Sequence, residues 1–335
     1  MSYRLPPVNQ CLSTPLQQSP ELTVIQIIIR QLLLTTNQSV EAAERLRGDI
    51  HPTYLLQLSD GSRAILKCSP LLSTRLLRRE QRRLEDESRV LNLINRNTNI
   101  PVPRRMKYES HGSGTALRPP YLIRSYVSGT TLSELRPSLS EADQARIDQS
   151  LGVYLLALSS LTARNFGAPH AVHASNGYST WREAFLTMLE AVLRDAEDML
   201  VSIPYDTVRY YCTAHADALN AVTTPRLTAL DVCLPENVLI DPNSREIQGL
   251  LGLGDVIWGD PNMAAVLEEP TPAFLEGYGR RDSEQDENEH ARKLLYTVYR
   301  AIVSVVKRHF RPRDSEDELE ARRVLGRALN ELAAL

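Results

Sequence analysis

The hydrophobic pattern of this chain changes near Ser138, and that change constrains the fold more than any other feature. Before it, short apolar runs alternate with turn residues, which is typical of strands. After it, apolar residues recur at three- and four-residue spacing. This spacing predicts helices over about 141–164, 181–202, 205–221, 288–309 and 315–334. The sequence therefore predicts an α+β chain with a small β-rich N-lobe and a mainly helical C-lobe.

The β-rich part contains a clear hairpin signal that ends on a lysine. The turn at 59–62 includes Gly61, which tolerates the positive φ that hairpin turns require, and Lys67 falls near the end of the second strand. A charged helix is predicted over 73–95, and strands are predicted at 102–108 and 120–127. Residues 1–20 contain four prolines and are predicted to form an extended arm. The expected organisation is this arm, an N-lobe at 21–127 and a C-lobe at 128–335.

Composition excludes several classes of partner. Lys+Arg 38 against Asp+Glu 41 gives a formal charge of −3, which argues against nucleic acid. No apolar run reaches the roughly 18 residues that span a bilayer, so no membrane association is expected. The four cysteines lack the spacing of zinc or redox motifs, which favours a cytoplasmic location. Only four of the basic residues are lysines, so each lysine is a candidate for a specific contact.

The segment from 225 to 261 carries the most specific pattern. It places Asp231, then Asn237, then the two apolar runs of a hairpin, and then a Trp-Gly-Asp-Pro sequence at 258–261. This order resembles the aminoglycoside phosphotransferase and choline kinase-like family, and the likeness extends over about 40–310. The resemblance implies a protein-kinase-like two-lobed fold. It also implies an ATP- and Mg²⁺-dependent phosphotransferase that acts on a hydroxyl group of a small molecule or peptide.

The resemblance also assigns roles by position. Lys67 would hold the α- and β-phosphates of ATP, and Glu87 would fix that lysine through an ion pair. The linker strand would contact adenine through the backbone of Ser125 and Val127, although a plain buried strand would have the same sequence. Asp231 would be the catalytic base, the carboxylate that accepts the proton of the substrate hydroxyl.

The metal-binding part of the pattern departs from the family. Asn237, the implied metal ligand, follows Asp231 by six residues where the family has five. Either one residue is inserted after Asp231, or Val232 occupies the catalytic position. Gly252 stands where the family has the Asp that coordinates magnesium, and glycine offers a hard cation only a backbone carbonyl. Asp255, three residues later, either replaces that metal ligand or is a surface carboxylate of a turn.

Two functions from different classes therefore stay open. One is the ATP-dependent phosphotransferase that the resemblance implies, supported by the presence of Lys67, Asp231 and Asn237. The other is a pseudokinase that keeps the two-lobed fold and serves as a scaffold or as the partner of a catalytic protein. A repurposed activity other than phosphoryl transfer, in the same cleft, belongs with the second possibility.

Two further features carry expectations about contacts. Asp260, in the Trp-Gly-Asp-Pro sequence, would be the buried carboxylate that braces the catalytic loop through its backbone amides. The arginines at 75, 78, 79, 82 and 83 fall on one face of the helix predicted over 73–95. That face would either dock an acidic protein partner or be a solvated face balanced by nearby acidic residues.

Overall fold

The computed structural model describes residues 39–46, 50–70, 73–110, 120–279, 288–311 and 317–335. The arm predicted for residues 1–20 lies outside these ranges. Within them, an antiparallel sheet is followed by a mainly helical part, which confirms the predicted two-lobed α+β class. None of the described helices is both long and apolar enough to cross a membrane.

The N-terminal sheet has five antiparallel strands. They are β1 (Val40–Leu46), β2 (Thr53–Leu58), β3 (Arg63–Cys68), β4 (Arg105–Glu109) and β5 (Tyr121–Ser125), in the spatial order β1-β2-β3-β5-β4. The predicted hairpin is present, since β2 pairs with β3 and Gly61 in the turn has a φ of 78°. Leu66 is fully buried in the apolar layer of this sheet. Because successive side chains of a strand point to opposite faces, Lys67 lies on the other face.

The charged helix is shorter than the sequence predicts. A 3₁₀ turn at Arg78–Glu80 precedes an α-helix, α1, at Arg83–Asn97. The chain is held against the helical lobe here because Asp195 accepts hydrogen bonds from both the backbone N–H and the guanidinium of Arg78. This interruption separates the arginines, so the single basic face expected from the sequence is not formed. Four of them pair with acidic side chains instead: Arg78 with Asp195 and Asp198, Arg79 and Arg83 with Asp255, and Arg82 with Glu85.

The helical lobe is built around buried aromatic side chains. Its helices are α2 (Leu132–Leu135), α3 (Glu141–Ser159), α4 (Pro169–His173), α5 (Trp181–Asp198), α6 (Tyr205–Ala214), α7 (Pro272–Tyr278), α8 (Glu289–Phe310) and α9 (Asp317–Ala334). The five long helices predicted from periodicity correspond to α3, α5, α6, α8 and α9. Trp181 and Phe185 of α5 meet Tyr296 of α8, with ring centroids 5.4–6.3 Å apart. This contact holds α5 and α8 together at the centre of the lobe.

Polar side chains fix where three of these helices begin. Ser140, Thr180 and Thr271 each accept a hydrogen bond from the backbone N–H three residues later. Such caps satisfy N–H groups that have no partner within the helix, and each is worth about 1 kcal/mol. The starts of α3, α5 and α7 are therefore determined locally by the sequence.

Two small sheets interrupt the helical lobe and hold the loop at 230–237. Strand β7 (Arg226–Ala229) pairs antiparallel with β10 (Val256–Gly259). Strand β8 (Val238–Ile240) pairs with β9 (Ile247–Leu250), as the predicted hairpin requires, and also with the short strand β6 (Thr130–Thr131). The loop leaves β7 and enters β8, so hydrogen-bonded strands fix both of its ends.

Candidate active site

Lys67 and Glu87 form the ion pair that the family resemblance implies. The Lys67 Nζ lies 2.8 Å from Oε1 and 2.7 Å from Oε2 of Glu87. Glu87 is buried on α1, and burial alone would raise its pKa. The nearby charges of Lys67 and Arg124 outweigh that effect and hold the pKa of Glu87 below its ordinary value. Glu87 is therefore a carboxylate that holds the Lys67 ammonium in one direction.

The residue before Glu87 anchors α1 to the helical lobe. Asp86 accepts hydrogen bonds from the backbone N–H of His170 at 2.6 Å and pairs with its Nδ1 at 2.8 Å. His170 belongs to α4, so this contact joins the two lobes. The position of Glu87 relative to the C-lobe is fixed as a consequence.

The ion pair lies in a cleft between the two lobes. The cavity has a volume of about 550 Å³, within the range typical of ligand sites. Its apolar walls come from both lobes and include Leu46, Ile65, Val127, Leu239 and Leu251. Its polar lining includes Lys67, Arg83, Glu87, Arg124, Asp231, Asn237 and Lys307. The cleft thus combines apolar walls, suited to a planar base, with a charged end.

The linker between the lobes offers fewer backbone groups than the sequence suggests. The N–H of Ser125 donates to the carbonyl oxygen of Arg104 at 2.8 Å, because the β4–β5 pairing continues to this point. Ser125 is therefore left with its carbonyl oxygen as a possible contact. Val127 lines the cleft, and its side chain packs on Gly249, where a Cβ atom would lie 2.7 Å from Val127 Cγ1. Of Ser125 and Val127, the two residues expected to contact adenine, Val127 is thus the better placed.

Two buried polar atoms in the cleft wall were missed in the sequence analysis. Arg124 Nε and His51 Nε2 are buried and have no hydrogen-bond partner among the described residues. Arg124 lies opposite Ile65 in the β3–β5 pairing, on the face that carries Lys67, and its Nε is 3.6 Å from Glu87 Oε1. In the sequence, the only indication of this role is that Arg124 is a charged residue near the end of the apolar strand β5. Burial lowers the pKa of His51 to about 4, so its ring is neutral near pH 7.

The loop at 230–237 presents Asp231, and not Val232, to the cleft. Asp231 lines the cavity, whereas Val232 is 1% exposed and packs in the core. The Asp231 carbonyl oxygen accepts hydrogen bonds from Leu234 N at 3.1 Å and from Asn237 Nδ2 at 2.8 Å. These bonds close a turn that accommodates the extra residue. The Asp231 carboxylate has no hydrogen-bond partner in the described part of the chain, so it can accept a proton from a ligand.

Asp255 is neither a surface carboxylate nor part of the cleft lining, the two placements that the sequence suggested. It is largely buried, and its carboxylate forms a close ion pair with Arg79. Burial disfavours its ionisation, but the charges of Arg79 and Arg83 outweigh this effect and lower its pKa. The Asp255 side chain does not line the cleft cavity formed by the described residues. The geometry therefore pairs Asp255 with Arg79, outside the lining of the cleft.

The remaining oxygen ligands fit a magnesium ion poorly. Mg²⁺ requires near-octahedral oxygen coordination and in nucleotide sites uses one or two carboxylates. Asn237 supplies an uncharged amide whose Nδ2 is directed at Asp231 O, and Gly252 supplies no side chain. Among the described residues, no three His, Cys, Asp or Glu side chains form a group that could hold a metal ion. The side-chain oxygen groups of the cleft lining left for the predicted metal are the Asp231 carboxylate, the Asn237 Oδ1 and the exposed Glu236 carboxylate.

Asp260 is buried as expected, but its partners differ from the expected loop amides. Its carboxylate accepts hydrogen bonds from Asn262 N at 3.0 Å, Arg292 Nε at 3.1 Å and the Tyr296 hydroxyl at 2.8 Å. The N–H of Leu230 donates to the Asp255 carbonyl oxygen instead. Asp260 therefore ties β10 to α8, and it supports the loop at 230–237 through the β7–β10 pairing.

A second cavity of about 690 Å³ lies on the C-lobe side of the same loop. Leu234 lines both cavities, so the loop at 230–237 separates them. The second cavity is lined by four acidic and three basic side chains: Asp148, Glu268, Glu269, Glu320, Arg136, Arg300 and Arg327. The rest of the lining of this second cavity is largely apolar and includes Leu132, Leu151, Val266 and Phe274.

The fold and the cleft together define a two-lobed protein of the kinase-like class. The model of the phosphotransferase enzyme family matches residues 42–295, which is more than half of the chain. The protein therefore belongs to that family, and the family resemblance inferred from 225–261 is confirmed. No curated protein sequence matches this chain.

Solved structures of the same fold are distant in sequence. An aminoglycoside phosphotransferase in a ternary complex with AMP-PNP and hygromycin B has a TM-score of 0.62 and 14% identity, covering 92% of this chain and 99% of its own. A putative fructosamine-3-kinase from Thermobifida fusca has a TM-score of 0.61 and 16% identity, covering 91% of this chain and 98% of its own. The choline kinase of Streptococcus pneumoniae has a TM-score of 0.58 and 16% identity, covering 93% of this chain and 99% of its own. Identities this low establish the kinase-like fold alone.

Proposed function

We propose that the protein transfers a phosphoryl group from ATP to a hydroxyl group of a small molecule or peptide. One observation carries this proposal: the Lys67–Glu87 pair and the Asp231 carboxylate line the same cleft. In this assignment, Lys67 contacts the phosphates of ATP and Glu87 orients Lys67. The adenine base of ATP lies between the apolar walls of the cleft, beside Val127. Asp231 accepts the proton of the attacking hydroxyl.

The second cavity, on the C-lobe side of the loop at 230–237, is the proposed acceptor site. An acceptor bound there would present its hydroxyl across the loop that carries Asp231, toward the phosphate end of the cleft. The mixture of acidic and basic side chains suits a polar molecule that carries amino groups or other charges. The neighbour crystallised with hygromycin B supports a small-molecule acceptor more directly than a peptide.

The donor assignment predicts the effect of removing the Lys67 charge. Lys67→Met is expected to weaken ATP binding about 10- to 100-fold, because one charge-assisted hydrogen-bonding group is worth about 1.5–3 kcal/mol. Isothermal titration of ATP into wild type and variant measures the change. Lys107→Met, on strand β4 of the same sheet and outside the cleft lining, is the matched control and is expected to bind ATP normally. Equal affinity of Lys67→Met and wild type would contradict the assignment of Lys67.

Phosphoryl transfer is tested by an acceptor screen. The enzyme is incubated with radiolabelled ATP and, separately, with aminoglycosides, choline, fructosamines and serine-containing peptides, and labelled product is measured. The proposal requires an acceptor that becomes labelled by the wild type. Failure of ATP to bind under any condition would contradict the proposal as a whole.

A second candidate is a nucleotide-binding protein without transferase activity. Gly252 and the pairing of Asp255 with Arg79 favour it, because they leave the cleft short of carboxylate ligands for a metal. ATP binding without labelling of any acceptor class would support this candidate. The pseudokinase would then act through a protein partner.

If the protein is a transferase, Asp255 controls the pH at which Asp231 becomes active. Burial and the negative charge of Asp255 raise the pKa of Asp231 above its ordinary value. Asp255→Asn removes that charge and keeps Arg79 nearby, so the pKa of Asp231 should fall. Since the base must be ionised, the acid limb of the pH–rate profile is expected to move to lower pH. A metal-ligand role for Asp255 would instead predict loss of Mg²⁺-dependent activity without such a shift.

A further inference from the structure

The charged end of the cleft carries more positive than negative side chains. Four cationic residues line it, namely Lys67, Arg83, Arg124 and Lys307, against the carboxylates of Glu87, Asp231 and Glu236. One of those carboxylates, Glu87, is already shared between Lys67 and Arg124. The cleft lining therefore carries one more positive than negative side chain. Such an excess attracts an anionic ligand.

Arg83 lies against the loop at 252–255, which departs from the family pattern. Its stem packs on Gly254, where a Cβ atom would lie 2.9 Å from Arg83 Cγ and 3.1 Å from its Nε. Its guanidinium is 3.9 Å from Asp255 Oδ2, whereas the closer partner of Asp255 is Arg79. No described residue accepts a hydrogen bond from the Arg83 side chain. The guanidinium therefore has its donors available at the edge of the cleft.

Lys307 adds a second positive charge at the same place. It lies near the end of α8, which reaches the cleft from the helical lobe, and it lines the cavity. Its charge favours ionisation of both Asp231 and Asp255. Arg83 and Lys307 thus line the same cavity as Asp231 from different lobes.

The position of the missing metal ligand is also closed by packing. Gly252 has a φ of 72°, and a Cβ atom there would lie 2.6 Å from Asn237 Nδ2 and 2.8 Å from its Cγ. The loop is therefore shaped for glycine, and no carboxylate can occupy this position without moving the Asn237 amide.

We infer that Arg83 and Lys307 take the place of the divalent cation in nucleotide binding, so that the cleft holds the phosphate chain of ATP without magnesium. This inference rests on the proposed function, because it assumes that the phosphates lie at the charged end of the cleft. A guanidinium group donates two parallel hydrogen bonds to phosphate oxygens, and an ammonium group acts as a point charge. Together they neutralise part of the charge that a magnesium ion would otherwise neutralise.

The test compares ATP binding in Mg²⁺ and in excess EDTA. Wild type is expected to change its dissociation constant by less than about threefold when the metal is chelated, because few protein ligands hold it. Arg83→Met is expected to weaken ATP binding in EDTA about tenfold or more. AMP, which lacks the β- and γ-phosphates, should bind wild type and Arg83→Met within about twofold of each other.

Matched variants separate charge from packing. Arg82→Met alters the neighbouring, more exposed arginine, which pairs with Glu85, and should bind ATP as wild type does. Arg83→Lys keeps the charge but loses the paired hydrogen bonds, so its affinity in EDTA should fall between those of wild type and Arg83→Met, which a purely structural role of Arg83 would not predict. Lys307→Met should also weaken ATP binding in EDTA. Melting temperatures confirm that each variant is folded.

The possible failures are distinguishable. If wild type loses ATP affinity more than about tenfold in EDTA, the inference is overturned while the proposed function stands. Unchanged ATP affinity of folded Arg83→Met in EDTA also overturns it. If ATP binds in neither condition, the proposed function fails and the inference fails with it.

Discussion

Replacing Asp231 by Asn is expected to lower the turnover number about 10²- to 10⁴-fold, because an amide cannot accept the proton of the substrate hydroxyl. The substitution keeps the size of the side chain. No described residue donates a hydrogen bond to the Asp231 carboxylate, so none is broken. Folding should therefore be unaffected.

The free energy of unfolding of Asp231→Asn tests whether the pKa of Asp231 is raised in the folded protein. Burial and the charge of Asp255 raise the pKa of Asp231 in the folded protein, so ionising Asp231 opposes folding. This cost begins as the pH rises past the ordinary pKa of an aspartate and is complete above the raised value. Near neutral pH, Asp231→Asn should thus be at least as stable as the wild type. Chemical denaturation measures this, and a less stable variant would indicate an unrecognised structural contact.

The kinetic measurement needs a control for the loss of a carboxylate elsewhere. Asp206→Asn, at an exposed position in the first turn of α6, should retain wild-type turnover. The KM for ATP should change little in Asp231→Asn, because Lys67 and not Asp231 is assigned to the phosphates. Wild-type turnover in Asp231→Asn would show that the base has been assigned wrongly.

The parts of the site that follow local patterns could be predicted from the sequence. The turn at 59–62 predicts a hairpin with Lys67 near the end of its second strand, and the structure agrees. The apolar runs of the hairpin likewise predict β8 and β9. The order of Asp231 and Asn237 identified the family without any knowledge of contacts. These features depend on short stretches of chain, where side-chain periodicity determines structure.

The features that sequence analysis missed depend on contacts between distant segments. Arg79 and Asp255 are 176 residues apart in the chain, and no local pattern indicates their ion pair. The same pairing helps to separate the arginines that periodicity had placed on one helical face. Arg124 is similar, since its position beside Glu87 follows only from the pairing of β3 with β5. Electrostatic partners in a folded core are set by tertiary packing, which periodicity does not report.

Removing the Asp260 carboxylate is expected to reduce the free energy of unfolding by about 3–5 kcal/mol, the typical cost of breaking a buried ion pair by deleting one partner. Asp260 and Arg292 are each 4% exposed. Tyr296, which donates to Asp260, in turn accepts a hydrogen bond from Trp181 Nε1 at 2.7 Å. Asp260→Ala therefore removes an acceptor from a network that joins β10, α5 and α8. Urea denaturation, with mid-point and slope both recorded, measures the loss.

Two comparison variants make this prediction specific to the buried network. Asp217→Ala breaks an ion pair with Arg182 in which the Asp217 side chain is 82% exposed, so it should cost less than about 1 kcal/mol. Asp260→Asn keeps one hydrogen-bond acceptor oxygen and should cost less than Asp260→Ala. If Asp260→Ala is as mild as Asp217→Ala, the network does not stabilise the fold. The Asp231 loop would then depend on the apolar core for its support through β7 and β10. No residue of this loop donates a hydrogen bond to the Asp260 carboxylate.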